Sequence, residues 1–300
     1  MFAYVQHPRG TYFPYARLAF LAMLLPLAGC IEVGRNRAES EETRQIPTVG
    51  TKKVAVKTDN GLVRVRPAAE GGDAIEVHAK IRAEGSSEAD AQECLQAIEI
   101  TTPVSGSNDS TQEIGWAWRE PRHSGWRASV SFEITMPHTL ELDVQTKNGQ
   151  IDVVGITADC KLHTENGAVR AVAATNELTA ESSNGAITVE SPASEIHLQS
   201  NNGAIRAALT NDSDVSGSIK THNGGVKVSL AKSAATNLEC HTSSGRIRSD
   251  VQLSDVDRKG RSRLKGKHAG GGEVLEIETH NGGITLKPYS SDNKDDADDD

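Results

Sequence analysis

Residues 163–172 read HTENGAVRAV, residues 180–189 AESSNGAITV, residues 198–207 LQSNNGAIRA and residues 220–228 KTHNGGVKV. A turn dipeptide thus recurs at Asn148, Asn166, Asn184, Asn202, Asn223 and Asn281, with Ser244-Gly245 in one further copy, at spacings of 18, 18, 18, 21, 21 and 37 residues. Three residues after each corner stand Ile151, Val169, Ile187, Ile205, Val226, Ile247 and Ile284, all β-branched. Four residues before it stand Val144, Leu162, Ala180, Leu198, Ile219, Cys240 and Ile277; two before it the residue is always Thr or Ser. Alternation on both sides of a turn predicts two short strands joined at a corner. An eighth copy, VAVKTDNGLVRV, occupies residues 54–65 with its corner at Asn60.

Two all-β architectures satisfy this unit. Two-residue Asn-Gly loops favour tight hairpins, which would give a stacked β-hairpin roll. Alternatively each copy is one rung of a β-solenoid of about 18–21-residue rungs, stacked roughly 4.8 Å apart around a narrow aliphatic column. Near-constant length with like residues in register favours the solenoid, because stacking then makes ladders of identical side chains. Aromatic content agrees: at 4% of 300 residues it is low, and six rings (Phe2, Tyr4, Tyr12, Phe13, Tyr15, Phe20) lie in the first 20 residues. A thick globular core wants more large rings, so the composition argues against a typical enzyme of this length. No apolar run reaches the 18 or so residues of a transmembrane helix.

The chain begins with Arg9 and Arg17, has no acidic residue before Glu32, and carries the apolar stretch LAFLAMLLPLAGC at residues 18–30. This is the layout of an export signal. Leu27, Ala28, Gly29 and Cys30 resemble the bacterial lipobox, which implies cleavage after residue 29, acylation of Cys30 and a lipid bilayer as partner. Ile31 in place of Asp resembles export to the outer rather than the inner membrane of a Gram-negative envelope. Removal of residues 1–29 shifts the formal net charge from −9 to −11. Residues 30–50 read as lipid anchor and flexible tether, mixed in charge and without apolar periodicity. At the other end, residues 290–300 read as a disordered acidic tail.

Residues 51–137 read as the first repeat plus a cap or insert of β-α-β character, with Ser87 and Asp90 at capping-box spacing. Residues 138–289 read as the repeat solenoid. A cap is expected because an open strand edge invites pairing with another chain.

The segments VSFEITMPHTLELDVQTKNGQIDV (residues 130–153), the four repeats quoted above and LKGKHAGGGEVLEIETHNGGITLKP (residues 264–288) resemble a bacterial adhesin-like family with β-strand repeats. That family is a domain of unknown function related to autotransporter-adhesin head regions, and the resemblance covers about residues 51–288. It implies a non-enzymatic, envelope-associated solenoid acting as surface scaffold or in adhesion. Ser244 departs from the corner Asn, and residues 252–272 lengthen one connection.

Chemistry is sparse. No GxSxG, HExxH, phosphate-loop or CxxC motif occurs, and no cofactor is expected. A glycan hydrolase would need paired outward carboxylates, whereas Glu165, Glu181 and Glu278 are scattered. Cys160 and Cys240 occupy apolar repeat positions four corners apart in sequence, about 19 Å at 4.8 Å per rung, too far for a disulfide. One candidate metal site comes from stacking: His222 and His280 precede their corners by one residue, His241 and Glu278 by three, all outward on neighbouring rungs. Arg258, Lys259, Arg261, Arg263, Lys265 and Lys267 form a candidate patch for an anionic ligand; in an exported protein this means a glycan or lipid headgroup rather than nucleic acid. Trp116, Trp118 and Trp126 suggest either a sugar-stacking platform or, preferred on sequence, an apolar lid over the solenoid's end.

Overall fold

The computed structural model describes residues 36–69, 72–102, 110–174 and 176–290. The export signal, the lipobox with Cys30, and residues 291–300 of the acidic tail lie outside the described residues. In chain order the first elements are β1 (Arg37–Pro47), β2 (Lys53–Thr58), β3 (Val63–Pro67), β4 (Ala74–Glu84), α1 (Glu88–Gln96), β5 (Ile98–Thr101), β6 (Thr111–Trp118) and β7 (Arg127–Met136). The repeats follow as β8 (Glu141–Thr146), β9 (Ile151–Val154), β10 (Cys160–Thr164), β11 (Val169–Val172), β12 (Glu177–Ser182), β13 (Ile187–Ser191), β14 (Glu195–Ser200), β15 (Ile205–Leu209), β16 (Ser216–Thr221) and β17 (Val226–Leu230). The last are β18 (Thr236–Thr242), β19 (Ile247–Ser249), β20 (Ser254–Lys259), β21 (Arg263–His268), β22 (Val274–Thr279) and β23 (Ile284–Pro288).

Each repeat gives its first strand to one sheet and its second to another. One sheet runs β20-β21-β18-β22-β16-β14-β12-β10-β8-β2-β6-β5, the other β1-β4-β7-β3-β9-β11-β13-β15-β17-β23-β19. Strand β8 pairs in parallel with β2 and β10, not with β9 across its own corner. The fold is therefore the solenoid, and the hairpin roll is excluded. Type I′ hairpin loops need positive φ at both central residues, and none of the corner asparagines has it.

The corner sequence follows from stacking. A Cβ on Gly149, Gly167, Gly185, Gly203, Gly224, Gly245 or Gly282 would lie 1.8–2.2 Å from the carbonyl oxygen of the corner glycine in the adjoining rung. Glycine is needed for close backbone approach, not for an unusual φ. The corner asparagines form a continuous ladder in which Asn148, Asn166, Asn184, Asn202, Asn223 and Asn281 each donate Nδ2 to the Oδ1 of the preceding one, starting at Asn60, at 2.7–2.8 Å. A second ladder runs beside it. The hydroxyls of Thr164, Ser182, Ser200, Thr221, Thr242 and Thr279 donate to the corner-glycine carbonyl of the adjoining rung at 2.7–3.0 Å. Thr146 occupies the same column with its buried hydroxyl unpartnered. Between the sheets, Val144, Leu162, Ala180, Leu198, Ile219 and Ile277 face Ile151, Val169, Ile187, Ile205, Val226 and Ile284 in one buried cluster.

Rung order departs from sequence order at one end. Strands β22 and β23 enter between β16–β17 and β18–β19, while β20 and β21 extend the first sheet as an antiparallel hairpin on β18. Cys160 and Cys240 are consequently five rungs apart, about 24 Å at 4.8 Å per rung, rather than four; both are buried free thiols.

The segment read as a flexible tether is instead, from Arg37 to Pro47, a strand paired antiparallel with β4 along its whole length. Only Ala38 and Ile46 are buried in it, so hydropathy is silent there. The backbone ladder and cross-strand pairs such as Glu39–Arg82 (2.9 Å) and Glu41–Lys80 (3.4 Å) hold it, and its charges protect a sheet edge. The insert is also more than a cap. Strands β6 and β7 pair in parallel with β2 and β3 and make one further rung, over which β4, α1 and β5 are laid. Ser87 caps α1 by accepting from Asp90 N at 3.1 Å, while the Asp90 carboxylate turns back to Ser86 N and Oγ.

Candidate functional site

The four residues of the candidate metal site line one shallow concavity of about 310 Å³ but pair off within it. The His222 and His280 rings stack face to face at 4.8 Å and 4°, as like residues on adjacent rungs do. His241 Nδ1 lies 3.5 Å from Glu278 Oε1. Because β22 sits between β16 and β18, Glu278 is flanked by Lys220 on one side and His241 on the other, and Lys220 pairs with Glu276 at 2.5 Å and Glu278 at 3.7 Å. Among the described residues no group of three or more His, Cys, Asp or Glu is arranged to hold a metal ion. Side chains in register along a ladder point in parallel, whereas a tetrahedral metal needs them to converge.

Outward carboxylates are used in the same way. Glu181 meets His163 at 3.1 Å, a contact between adjoining rungs like that of Glu278 with Lys220 and His241.

The basic residues divide on the terminal hairpin. Lys265 pairs with Glu239 and Lys267 with Asp255, each at 2.7 Å, and Lys267 holds the Asp255 carboxyl below the usual carboxylate range. Arg258 reaches the Ile247 carbonyl at 3.4 Å. Lys259, Arg261 and Arg263 carry no ion pair among the described residues. The six are therefore a mixed surface with three free cations near the turn.

A second concavity lies at the opposite end, beside the tryptophans. Strand β6 follows β2 as far as Ile114 and then leaves it to pair with β5 through Trp116 and Trp118. The β6–β7 connection, residues 119–126, replaces the tight Asn-Gly corner. Where β6 departs, a groove of about 470 Å³ opens against the Asn60 and Asn148 corners.

Trp126 is buried at 2% exposure and fixed from both ends: its Nε1 donates to Asp90 Oδ1 at 2.6 Å, and its carbonyl accepts from Arg122 Nε at 2.8 Å. The Trp126 hydrogen bond, with those from Ser86, holds the Asp90 carboxyl below its ordinary range. Trp118 stacks on Trp126 at 6.1 Å, and Trp116 meets Trp118 edge-on at 5.4 Å. The lid reading thus holds for Trp126, while half-buried Trp116 and Trp118 line the groove.

Around them stand Arg82, Arg122, Arg127 and Lys147 against only Asp59 and Glu84. Lys147 is engaged by Asp59 at 2.7 Å, and Arg82 by Glu39 at 2.9 Å through Nε. Exposed Arg127 has no ion pair among the described residues. These charged residues share no motif; Asp59 and Lys147, each one before its corner, stand at a repeat position, and the others do not.

Among the described residues no helix is long and apolar enough to cross a membrane. No curated protein sequence matches the chain. Among solved structures it is similar to a putative cell adhesion protein from Clostridium sporogenes, at 13% identity and TM-score 0.38, covering 84% of this chain and 100% of that one. It is also similar to a putative adhesin from Bacteroides fragilis, at 13% identity and TM-score 0.40, covering 83% and 97%. Residues 35–287, from just before β1 to the penultimate residue of β23, match the Toastrack DUF4097 family, and the chain belongs to that family.

Proposed function

We propose that this protein is a non-catalytic envelope lipoprotein, anchored through acylated Cys30, whose solenoid is an adhesin-like interaction scaffold. The observation that carries the reading is the pair of corner ladders, the amide ladder continuous from Asn60 to Asn281 and the hydroxyl ladder running beside it from Thr164 to Thr242. The amide groups of the repeats bond to one another, and the outward carboxylates of the first sheet engage neighbouring rungs. The repeated chemistry is thereby committed to holding a long, rigid surface. The lipobox Leu27-Ala28-Gly29-Cys30 supports the anchor, since two or more acyl chains on one residue retain a protein where one does not. Ile31 after it favours the outer membrane in a Gram-negative envelope.

Growth of a bacterial host with an alkyne-tagged palmitate, followed by membrane fractionation, tests the anchor. Full-length protein is expected to carry the label and sediment with membranes, and Cys30→Ala to lose both. A Cys30→Ala protein that stays labelled overturns the anchor. Binding of the wild-type protein to isolated envelope fractions, compared with intact cells, tests the scaffold role; absence of binding to either refutes it.

A further inference from the structure

We propose that the groove beside Trp116 is a binding site for an acidic saccharide, one sugar face lying on the tryptophan and its carboxylate held by Arg127 and Arg82. The inference goes beyond anchoring and holds whether or not Cys30 is acylated.

Position and shape come first. The rungs with an Asn-Gly corner close tightly, with a Cβ's width denied at the glycine. The β6–β7 rung alone among the described rungs has a wide corner, opened where β6 changes partner after Ile114. A groove of about 470 Å³ lies in the usual size range of small-ligand sites and suits one or two sugar units.

Trp118 is backed by Trp126, which is itself tied to Asp90 and Arg122, and Trp116 is set edge-on against Trp118. Trp126 is the buried ring of the three. Trp116 and Trp118 continue the inward alternation of Gln112 and Ile114; each packs in part against the core and lines the groove half-exposed. An aromatic ring fixed in this way offers a flat apolar surface at little entropic cost.

Charge decides the ligand class. Four cations and two carboxylates line the groove, and the carboxylate of Asp59 is already spent on Lys147. Arg82 is oriented by Glu39 through Nε, which leaves its outer nitrogens available, and Arg127, cross-strand from Glu84, has no ion pair among the described residues. Guanidinium forks suit carboxylates in two-point geometry. Asn60, Asn148 and Ser129 make the rim polar; their first hydrogen bonds go to the ladder and to neighbouring carbonyls, and their second lone pairs and amide protons match hydroxyls rather than a hydrocarbon chain. A ligand with a flat C–H face, several hydroxyls and a carboxylate is a uronic-acid type of sugar.

The test is a titration of the full-length protein in detergent with a trigalacturonate, alongside maltotriose as neutral trimer and tripolyphosphate as non-sugar anion. Readouts are tryptophan fluorescence and calorimetry. Trigalacturonate is expected to bind with a fluorescence change and maltotriose about tenfold more weakly, the scale of one charge-assisted contact. Arg127→Gln, a change at an exposed position, is expected to weaken trigalacturonate binding about tenfold, and Arg263→Gln at the far end to leave it unchanged. Trp116→Leu is expected to remove the fluorescence change and weaken binding, with circular dichroism reporting that the fold persists. Equal binding of tripolyphosphate, equally sensitive to Arg127→Gln, overturns the sugar assignment in favour of a generic anion site. Failure of folded wild-type protein to bind trigalacturonate, or binding indifferent to both Arg127→Gln and Trp116→Leu, overturns the site.

Discussion

Asn281 donates its side-chain amide to Asn223 at 2.7 Å, although 58 residues separate them and a complete repeat with its corner at Ser244 intervenes in the chain. The last rung has entered the stack between two earlier ones, and the ladder continues through it. Ser244, now outermost, breaks the ladder where a further Asn would have extended it. The Oδ1 of Asn281 is left as the ladder's open acceptor.

Ser244→Asn is therefore expected to stabilise the protein, by about 0.5–1 kcal/mol for one added exposed hydrogen bond. Asn184→Ala is expected to destabilise it by about 1–2 kcal/mol, since Asn184 both donates to Asn166 and accepts from Asn202. Urea unfolding of both variants checks the pair. A ladder without energetic weight would leave both midpoints at the wild-type value.

The corner glycines separate two explanations of Asn-Gly. If close approach is the cause, Gly185→Ala places a Cβ 1.8 Å from the Gly167 carbonyl oxygen, and a loss of more than about 3 kcal/mol is expected from the forced separation of rungs. Gly225→Ala, whose Cβ would lie 3.7 Å from the Gly283 carbonyl oxygen, meets only ordinary packing and is expected to change stability by less than about 1 kcal/mol. Position 225 corresponds to Ala168, Ala186 and Ala204 in other repeats. Equal losses at positions 185 and 225 would sink the explanation.

These two columns also show what a sequence makes legible. A period with β-branched residues at fixed offsets identifies the rung and its inward face, because burial on a narrow column acts on every copy alike. Which rung neighbours which is not written there: Ile277 and Cys240 satisfy the same apolar position, so the register of Asn281 against Asn223 or Ser244 is equally good to the pattern. The connection of residues 252–272 decides it by becoming a hairpin on β18. Strand β1 escaped notice because an edge strand with two buried side chains carries almost no hydropathy signal. The groove escaped because Arg82, Trp116, Arg127 and Lys147 come from β4, β6, β7 and the β8–β9 corner, which border one groove only where β6 leaves β2.

Acid should weaken one interaction between rungs. Asp152, 8% exposed, receives Arg170 Nη1 at 3.1 Å and an Arg66 contact from the other side. Burial pushes its carboxyl up, but hydrogen bonds from Arg66 and Arg170 outweigh that and hold it below its ordinary 3.8. A depressed folded-state value means stability present above about pH 3.8 and lost as pH falls through the lower folded value. Asp152→Asn is expected to lose about 1–2 kcal/mol at neutral pH, with the gap to wild type narrowing below pH 3.8. Thermal melts across pH 2–7 measure it; a gap independent of pH would refute the linkage.

Burial raises the thiols of Cys160 and Cys240 to about 12. The thiolate is the reactive form, so neither is expected to react with a disulfide reagent at pH 7 while the protein is folded. In denaturant both should react at once. Rapid modification of either in the native protein would show that its rung opens.

Chain ends usually fray, and by sequence position β22 and β23 are the C-terminal strands. By spatial position they are interior: β22 is flanked by β16 and β18, and β23 by β17 and β19, with Leu275, Ile277, Ile284 and Leu286 fully buried. Protection follows local burial and pairing rather than distance from a terminus. Hydrogen exchange read by mass spectrometry is expected to show peptides over residues 274–288 exchanging as slowly as those of β14 and β15. Strand β20, exposed along its whole length at the sheet edge, should exchange first. If residues 274–288 instead exchange as fast as β20, the last rung is not held between its neighbours, and the rungs stack in the order the chain is written, with the Asn281 corner outermost.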